Sequence, residues 1–256
     1  MIAVPTHPLA HVAFDLTAWL AGAALGAVLY RWRLRAAVER TAMQVGSGWF
    51  AALALGAVTG AWLAGSLNTL RTASPMLSHS VAGGLVGAIA AVELYKLMRG
   101  IRGSTGVVFV GSFALGVVIG RMGCLFSGLA DRTYGTPTAL PWAVDLGDGV
   151  GRHPVQVYEA LAMALFLAVY LAGLNARAPW ALKRGFYVLC AWYGLQRFAW
   201  EFLKPYPSVA GPFNLFHLLS LGLIVYGGVF YGRELRRERD AQGRALPVLR
   251  PDHEPV

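Results

Sequence analysis

Seven apolar runs restrict this chain to one kind of surroundings, because each approaches the roughly 20 residues that a helix needs to cross a hydrocarbon core. They fall near 9–30, 47–70, 81–98, 106–127, 155–174, 185–203 and 213–231 of 256 residues. A soluble domain carries charge on about a quarter of its residues; here 14% are charged and 56% are hydrophobic. The expected fold is all-α: a polytopic membrane bundle of seven transmembrane helices, forming one domain over residues 1–231. A basic tail, 232–256, reads as a helix extension followed by disorder. The opening "MIAVPTHP" has no Lys or Arg, so no cleaved signal peptide is expected.

Within the runs, glycines recur four apart: Gly22 and Gly26, Gly56 and Gly60, Gly83 and Gly87, Gly116 and Gly120. That spacing lets helix backbones approach closely. The formal net charge is +9, and its placement decides its meaning. Sixteen of the 22 Lys and Arg lie in the loops after the first, third and fifth runs and in the tail. Four lie on the other side (Arg71, Arg132, Arg152 and Lys204), and Arg121 and Arg197 lie inside runs. Positive loops stay in the cytoplasm, so the N-terminus is expected outside and the C-terminus inside. The basic excess is then a topology signal, and no nucleic-acid partner is expected.

Orientation converts position into depth, at about 1.5 Å per residue. Asp15, Arg121, Glu159, Tyr193, Arg197 and Glu201 come from four runs that alternate in direction. All fall in the outer half of the bilayer or at its outer boundary. Tyr193, Arg197 and Glu201 step by four and share a helix face. Charges inside a membrane pair with one another or line a polar path. A planar guanidinium suits phosphate oxygens, so a pocket of two arginines, two glutamates and Tyr158 and Tyr193 suits a phospholipid headgroup. Glu93, three residues before Lys96, reads instead as an interfacial salt bridge. The long outer connection, about 128–154, reads as a lid or binding segment, with Leu140, Trp142 and Val144 resting on the membrane surface. Pro154 starts the helix that follows, which leaves His153 just outside its first turn. Cys124 and Cys190 both lie in apolar runs and form no metal-ligand set; Cys124 reads as a small packing residue. No metal and no cofactor are expected.

Four segments occur in an order that resembles the prolipoprotein diacylglyceryl transferase family: "AGGLVG" (82–87), "GRMGC" (120–124), "RHPVQVYEAL" (152–161) and "YGLQRFAWEFLKP" (193–205). The resemblance implies an enzyme of the bacterial inner (plasma) membrane. It would move the diacylglyceryl group of phosphatidylglycerol to the lipobox cysteine of a preprolipoprotein signal peptide and release glycerol phosphate. It implies functional roles for Arg121, Arg197, Glu201 and Tyr193. In that chemistry the thiol must lose its proton to become the nucleophile, and His153 and Glu159 are the candidate acceptors. Gly83, Gly84, Gln156 and Tyr158 fall in matched segments and are implied as substrate-binding. Ala82, Cys124 and Leu129 stand where many members have His, Asn and Glu. A divergent homologue using another acceptor, or a non-catalytic phospholipid-binding membrane protein, is the alternative.

Overall fold

The computed structural model describes residues 1–70 and 75–245, with side chains to 242; Arg71, Arg250, the side chain of Arg244 and the disorder expected in the tail lie outside what it describes. Among the described residues, nine α-helices carry the fold. They are α1 (Ala10–Leu29), α2 (Arg35–Gln44), α3 (Ser47–Thr69), α4 (Val81–Arg99), α5 (Val110–Ser127), α6 (Val155–Asn175), α7 (Pro179–Lys183), α8 (Gly185–Glu201) and α9 (Leu215–Ala245). The helix form follows from the surroundings: in hydrocarbon a segment must satisfy every backbone N–H and C=O internally.

Among the described residues, six helical stretches are long and apolar enough to cross a membrane: Ala10–Gln44, Ser47–Thr69, Val81–Arg99, Val107–Asp131, Val155–Asn175 and Leu215–Gln242. The run read at 185–203 forms only the 17 residues of α8, about 25 Å of helix. Pro205 has no N–H and disfavours helix in the residue before it, so α8 stops short of it. The first stretch continues from α1 to α2 through one π-helical turn, Tyr30–Leu34. There the apolar run gives way to "YRWRL", and Arg33 Nε donates to the Leu174 carbonyl at 3.2 Å, tying the turn to the end of α6.

The glycine spacing is used where α3 meets α4. A Cβ on Gly60 would lie 2.4 Å from the Gly83 carbonyl oxygen, and one on Gly87 would lie 2.2 Å from that of Gly56. Only glycine lets the two backbones touch there. Gly194 does the same for α8 and α9, since a Cβ would come within 2.6 Å of the Ser220 carbonyl oxygen.

The long outer connection is pinned. Strand β1 (Ile2–Ala3) pairs in parallel with β2 (Val144–Asp145), Arg152 bridges to Pro137 and to Val144, and Thr136 N–H donates to the Leu203 carbonyl at 2.7 Å. A short hairpin, β3 (Ser208–Ala210) and β4 (Phe213–Asn214), leads into α9. Trp142 and Leu140 are exposed, as a membrane-surface position requires, but Val144 is buried with Leu125 and Leu146. Its place in β2 turns it inward, away from the surface read from the sequence.

Glu93 pairs with Lys96 at 2.8 Å, the salt bridge expected, and also accepts from Tyr226 Oη at 2.8 Å.

Candidate functional site

Helical spacing brings each charged side chain to an inner face. On α5 the buried residues Ala114, Val117, Arg121, Cys124 and Leu125 form one stripe. On α6 Gln156, Glu159, Ala160 and Met163 form another, starting two residues after Pro154. On α8 the stripe is Cys190, Tyr193, Gly194, Arg197 and Glu201.

The three stripes meet at Glu159. Its Oε2 pairs with Arg121 Nε, and its Oε1 takes Arg197 Nη1 at 2.7 Å and Lys204 Nζ at 2.6 Å. Arg197 Nη2 reaches Glu201 Oε1 at 2.6 Å, and Lys204 approaches the same oxygen at 3.3 Å. Asn214 Nδ2 donates to the other Glu201 oxygen at 3.1 Å. Asn214 is itself fixed by a reciprocal pair with His217, whose backbone N–H donates to Asn214 Oδ1 and whose Nδ1 accepts from the Asn214 N–H, both at 3.1 Å. The ring of Phe216 lies 5.2 Å beneath the Arg197 guanidinium.

All five charged side chains are 10% exposed or less. Charges that far from water must be paired and hydrogen-bonded. Three cations share two carboxylates, which leaves one positive charge over. An anion arriving here finds preorganised donors in a site of low dielectric.

Arg121 and Arg197 also line a cavity of about 1100 Å³. Ser80, which caps the start of α4, and Glu93, within it, lie on its wall, so it extends about 20 Å along the helix axis. Apolar side chains such as Val12, Trp19, Leu53, Leu85, Phe113 and Val117 cover much of it. The cavity thus joins a cationic end to an apolar length, the division of a phospholipid into headgroup and tails.

The remaining residues singled out from the sequence are placed as follows. The Tyr193 hydroxyl is buried beside the cluster, with no hydrogen-bond partner among the described residues; its ring packs edge-on against Phe113. Gln156 is buried with its amide unpartnered among the described residues. Tyr158 accepts from Trp142 Nε1 at 2.8 Å and packs on Trp200 and His153. His153 is not on the cavity wall; its Nδ1 is buried without a partner among the described residues. Gly84 lines the cavity, while Gly83 is spent on the contact with Gly60 and Ala64. Asp15, on α1, lines the same end of the cavity as Arg121.

Sequence reading missed Lys204, Asn214 and His217, and left His11 and Asp131 without a role. For Lys204 the signal was present: it follows Glu201 by three, a helical spacing for an ion pair. For Asn214 and His217, the N-x-x-H spacing at a helix start was the available cue.

A model of the prolipoprotein diacylglyceryl transferase family matches residues 16–232. Three similar curated proteins carry the name phosphatidylglycerol--prolipoprotein diacylglyceryl transferase. That of Solidesulfovibrio magneticus is 38% identical over 161 residues, 58% of each chain. That of Methylococcus capsulatus is 34% identical over 148 residues, 56% of this chain and 54% of the relative. That of Geobacter sulfurreducens is 35% identical over 121 residues, 44% of each chain. The chain thus spans about half the length of the curated relatives it matches. No solved structure matches.

Proposed function

The chain belongs to the prolipoprotein diacylglyceryl transferase family, and from that premise we propose that it moves the diacylglyceryl group of phosphatidylglycerol to the lipobox cysteine thiol of a preprolipoprotein. One observation carries the reading. Arg121 and Arg197, from different helices, close on one carboxylate at the end of a cavity long enough for acyl chains.

In this reading the phosphate sits on Arg121, Arg197 and Lys204, and the lipid tails lie along the apolar wall. The acceptor sulfur attacks the glycerol carbon that bears the phosphate. The C–S bond forms as the C–O bond breaks, and the electron pair departs on the oxygen of glycerol phosphate. The thiol proton leaves to water at the cavity's outer end. Cations already in place stabilise the charge that grows on the leaving oxygen. Glu159 and Glu201 hold those cations in register; both oxygens of Glu159 are already engaged, so its part is positioning. The free Tyr193 hydroxyl donates to the phosphate. Gly84 lets the substrate approach α4, and Gly83 maintains that helix against α3. Gln156, Tyr158 and His153 stand behind the cavity wall and set the position of the first turns of α6, which carry Glu159.

The proposed setting is the bacterial inner membrane, with seven spans, the N-terminus outside and the C-terminus inside. Although α8 is short, tilting its neighbours or thinning the bilayer accommodates about 25 Å. This arrangement places the cluster at the outer headgroup level.

The test is incubation of purified protein with phosphatidylglycerol and a lipobox peptide, read by mass spectrometry. A peptide carrying a diacylglyceryl thioether is expected. Headgroup release without that product points to another acceptor. Lipid binding with neither product overturns the catalytic reading.

A further inference from the structure

Beside the cationic cluster, a second group of side chains gathers from three separate parts of the chain. His11 comes from the first turn of α1, Cys124 from the last turns of α5, and Asp131 from the 3-10 turn Gly128–Asp131 that follows α5. His11 Nε2 lies 2.9 Å from Asp131 Oδ1 and 3.9 Å from Cys124 Sγ. One ligand atom of each lies within 4.8 Å of the others. All three residues line the cavity.

We propose that His11, Cys124 and Asp131 form a site for a zinc-class divalent cation, with one coordination position open to the cavity. The donor set is imidazole, thiolate and carboxylate, the types that zinc takes. A tetrahedron of such ligands has edges of about 3.3–3.7 Å; the two separations of 2.9 and 3.9 Å lie on either side of that range, so a bound ion would draw His11 and Asp131 slightly apart and Cys124 closer. Three protein ligands with the fourth position free is the pattern of reactive rather than structural zinc.

The surroundings support it. His11 Nδ1 lies 2.9 Å from Asp15 Oδ2. A carboxylate on the far nitrogen fixes the ring orientation, as in most histidine ligands, and Nε2 faces Asp131, where a metal would take the place of the direct contact between them. Thr133 Oγ1 donates to the other oxygen of Asp131, so that carboxylate is oriented too. Arg121 Nη1 lies 3.8 Å from Cys124 Sγ, and a nearby cation favours the thiolate that a metal ligand must be. The His79 ring stands edge-on to His11 at 6.3 Å across the cavity. Use of the open position by an acceptor thiol, bound as thiolate with its proton lost to water, rests on the transferase reading; the site itself does not.

The test uses full-length protein, purified in detergent, stripped with a chelator and titrated with Co²⁺. A saturable thiolate-to-cobalt charge-transfer band is expected, displaced by Zn²⁺. It should persist in Cys190→Ser and vanish in Cys124→Ser. Asp131→Asn should weaken or abolish it. Asp15→Asn changes no ligand and should keep the band while lowering affinity about 10–100-fold. Circular dichroism confirms that each variant is folded. No saturable band in the parent protein, or an equal band in Cys124→Ser, overturns the site. Lipid transfer is measured on the same samples. Transfer in protein that gives no band removes this site alone. A band without transfer leaves the site standing and removes the transferase reading.

Discussion

Arg121 and Arg197 take opposite oxygens of a single carboxylate, Glu159, although 76 residues of chain separate them. The two guanidiniums are thereby held near each other in spite of their like charge. Lys204 joins them on the same carboxylate, so the cluster is a prepared cationic surface whose internal repulsion is offset before any ligand arrives.

Either arginine should be indispensable for transfer and dispensable for folding. Arg121→Ala leaves Glu159 with Arg197 and Lys204, and Arg197→Ala leaves Glu201 with Lys204 and Asn214. Neither variant strands a carboxylate. Transfer to a lipobox peptide should fall at least about 100-fold, the scale for loss of one preorganised charge donor. Membrane levels should match the parent by immunoblot. Near-parental rates in either variant defeat the phosphate assignment.

Glu159 is expected to behave in the opposite way. Three buried cations depend on it, and Glu159→Gln removes the charge that compensates them. Breaking a buried pair costs about 3–5 kcal/mol. The melting temperature in detergent should drop sharply. If Glu159→Gln melts with the parent, the cluster does not hold the helices together.

Tyr193→Phe separates packing from chemistry. The hydroxyl has no partner among the described residues, so its removal costs no hydrogen bond there and leaves the ring contact with Phe113. Melting should be unchanged or slightly higher, and transfer should slow about 10-fold, the scale of a charge-assisted hydrogen bond of 1.5 kcal/mol. Equal turnover in the two proteins removes the hydroxyl from the mechanism.

Gly87→Val tests the α3–α4 contact. The first added carbon would lie 2.2 Å from the Gly56 carbonyl oxygen, and the helices must separate to admit it. Overpacking of this kind costs roughly 1–3 kcal/mol. Earlier melting and faster proteolysis are expected, with the α5–α6 side less affected. An unaltered melting curve shows that these helices are not held by that contact.

The outer connection has its own pH dependence. Arg152 forms a fork on Asp148, with hydrogen bonds of 2.6 and 2.7 Å, and holds that carboxyl below its ordinary range. A lowered folded-state value means that the contribution is complete above the unfolded value, about 3.9. It is lost as pH falls through the lower folded value. Amide exchange over residues 144–152 should therefore quicken below about pH 4 relative to the helices, and Asp148→Asn should show that quickening at neutral pH. Identical protection in parent and variant at both pH values rules the fork out as a restraint.

Much of the helical layout was legible because a segment in hydrocarbon satisfies its own backbone, so a local run of apolar residues suffices to define it. That Arg121, Glu159, Arg197 and Glu201 share one level of the bundle was legible for a related reason: helix direction and rise per residue align their positions along neighbouring helices. The Tyr193–Arg197–Glu201 face followed from the period of the helix. The end of α8 was less legible, since apolar composition runs past Glu201 while Pro205 stops the helix.

Convergence was a different matter. Which charges touch depends on how each helix is rotated and how closely it packs, and those are set elsewhere, at Gly60 against Gly83 or Gly194 against Ser220. Residues in turns carry no period at all, so nothing local joins His11 to Asp131 or Asn214 to Glu201. The amino-acid order by itself determined where the apolar helices run and how glycines and charges are spaced along them, because those depend on interactions within a few residues. Only the tertiary structure decided that three cations share Glu159, that Lys204 is one of them, and that His11, Cys124 and Asp131 meet, because these contacts bridge segments whose relative rotation is a property of the packed bundle.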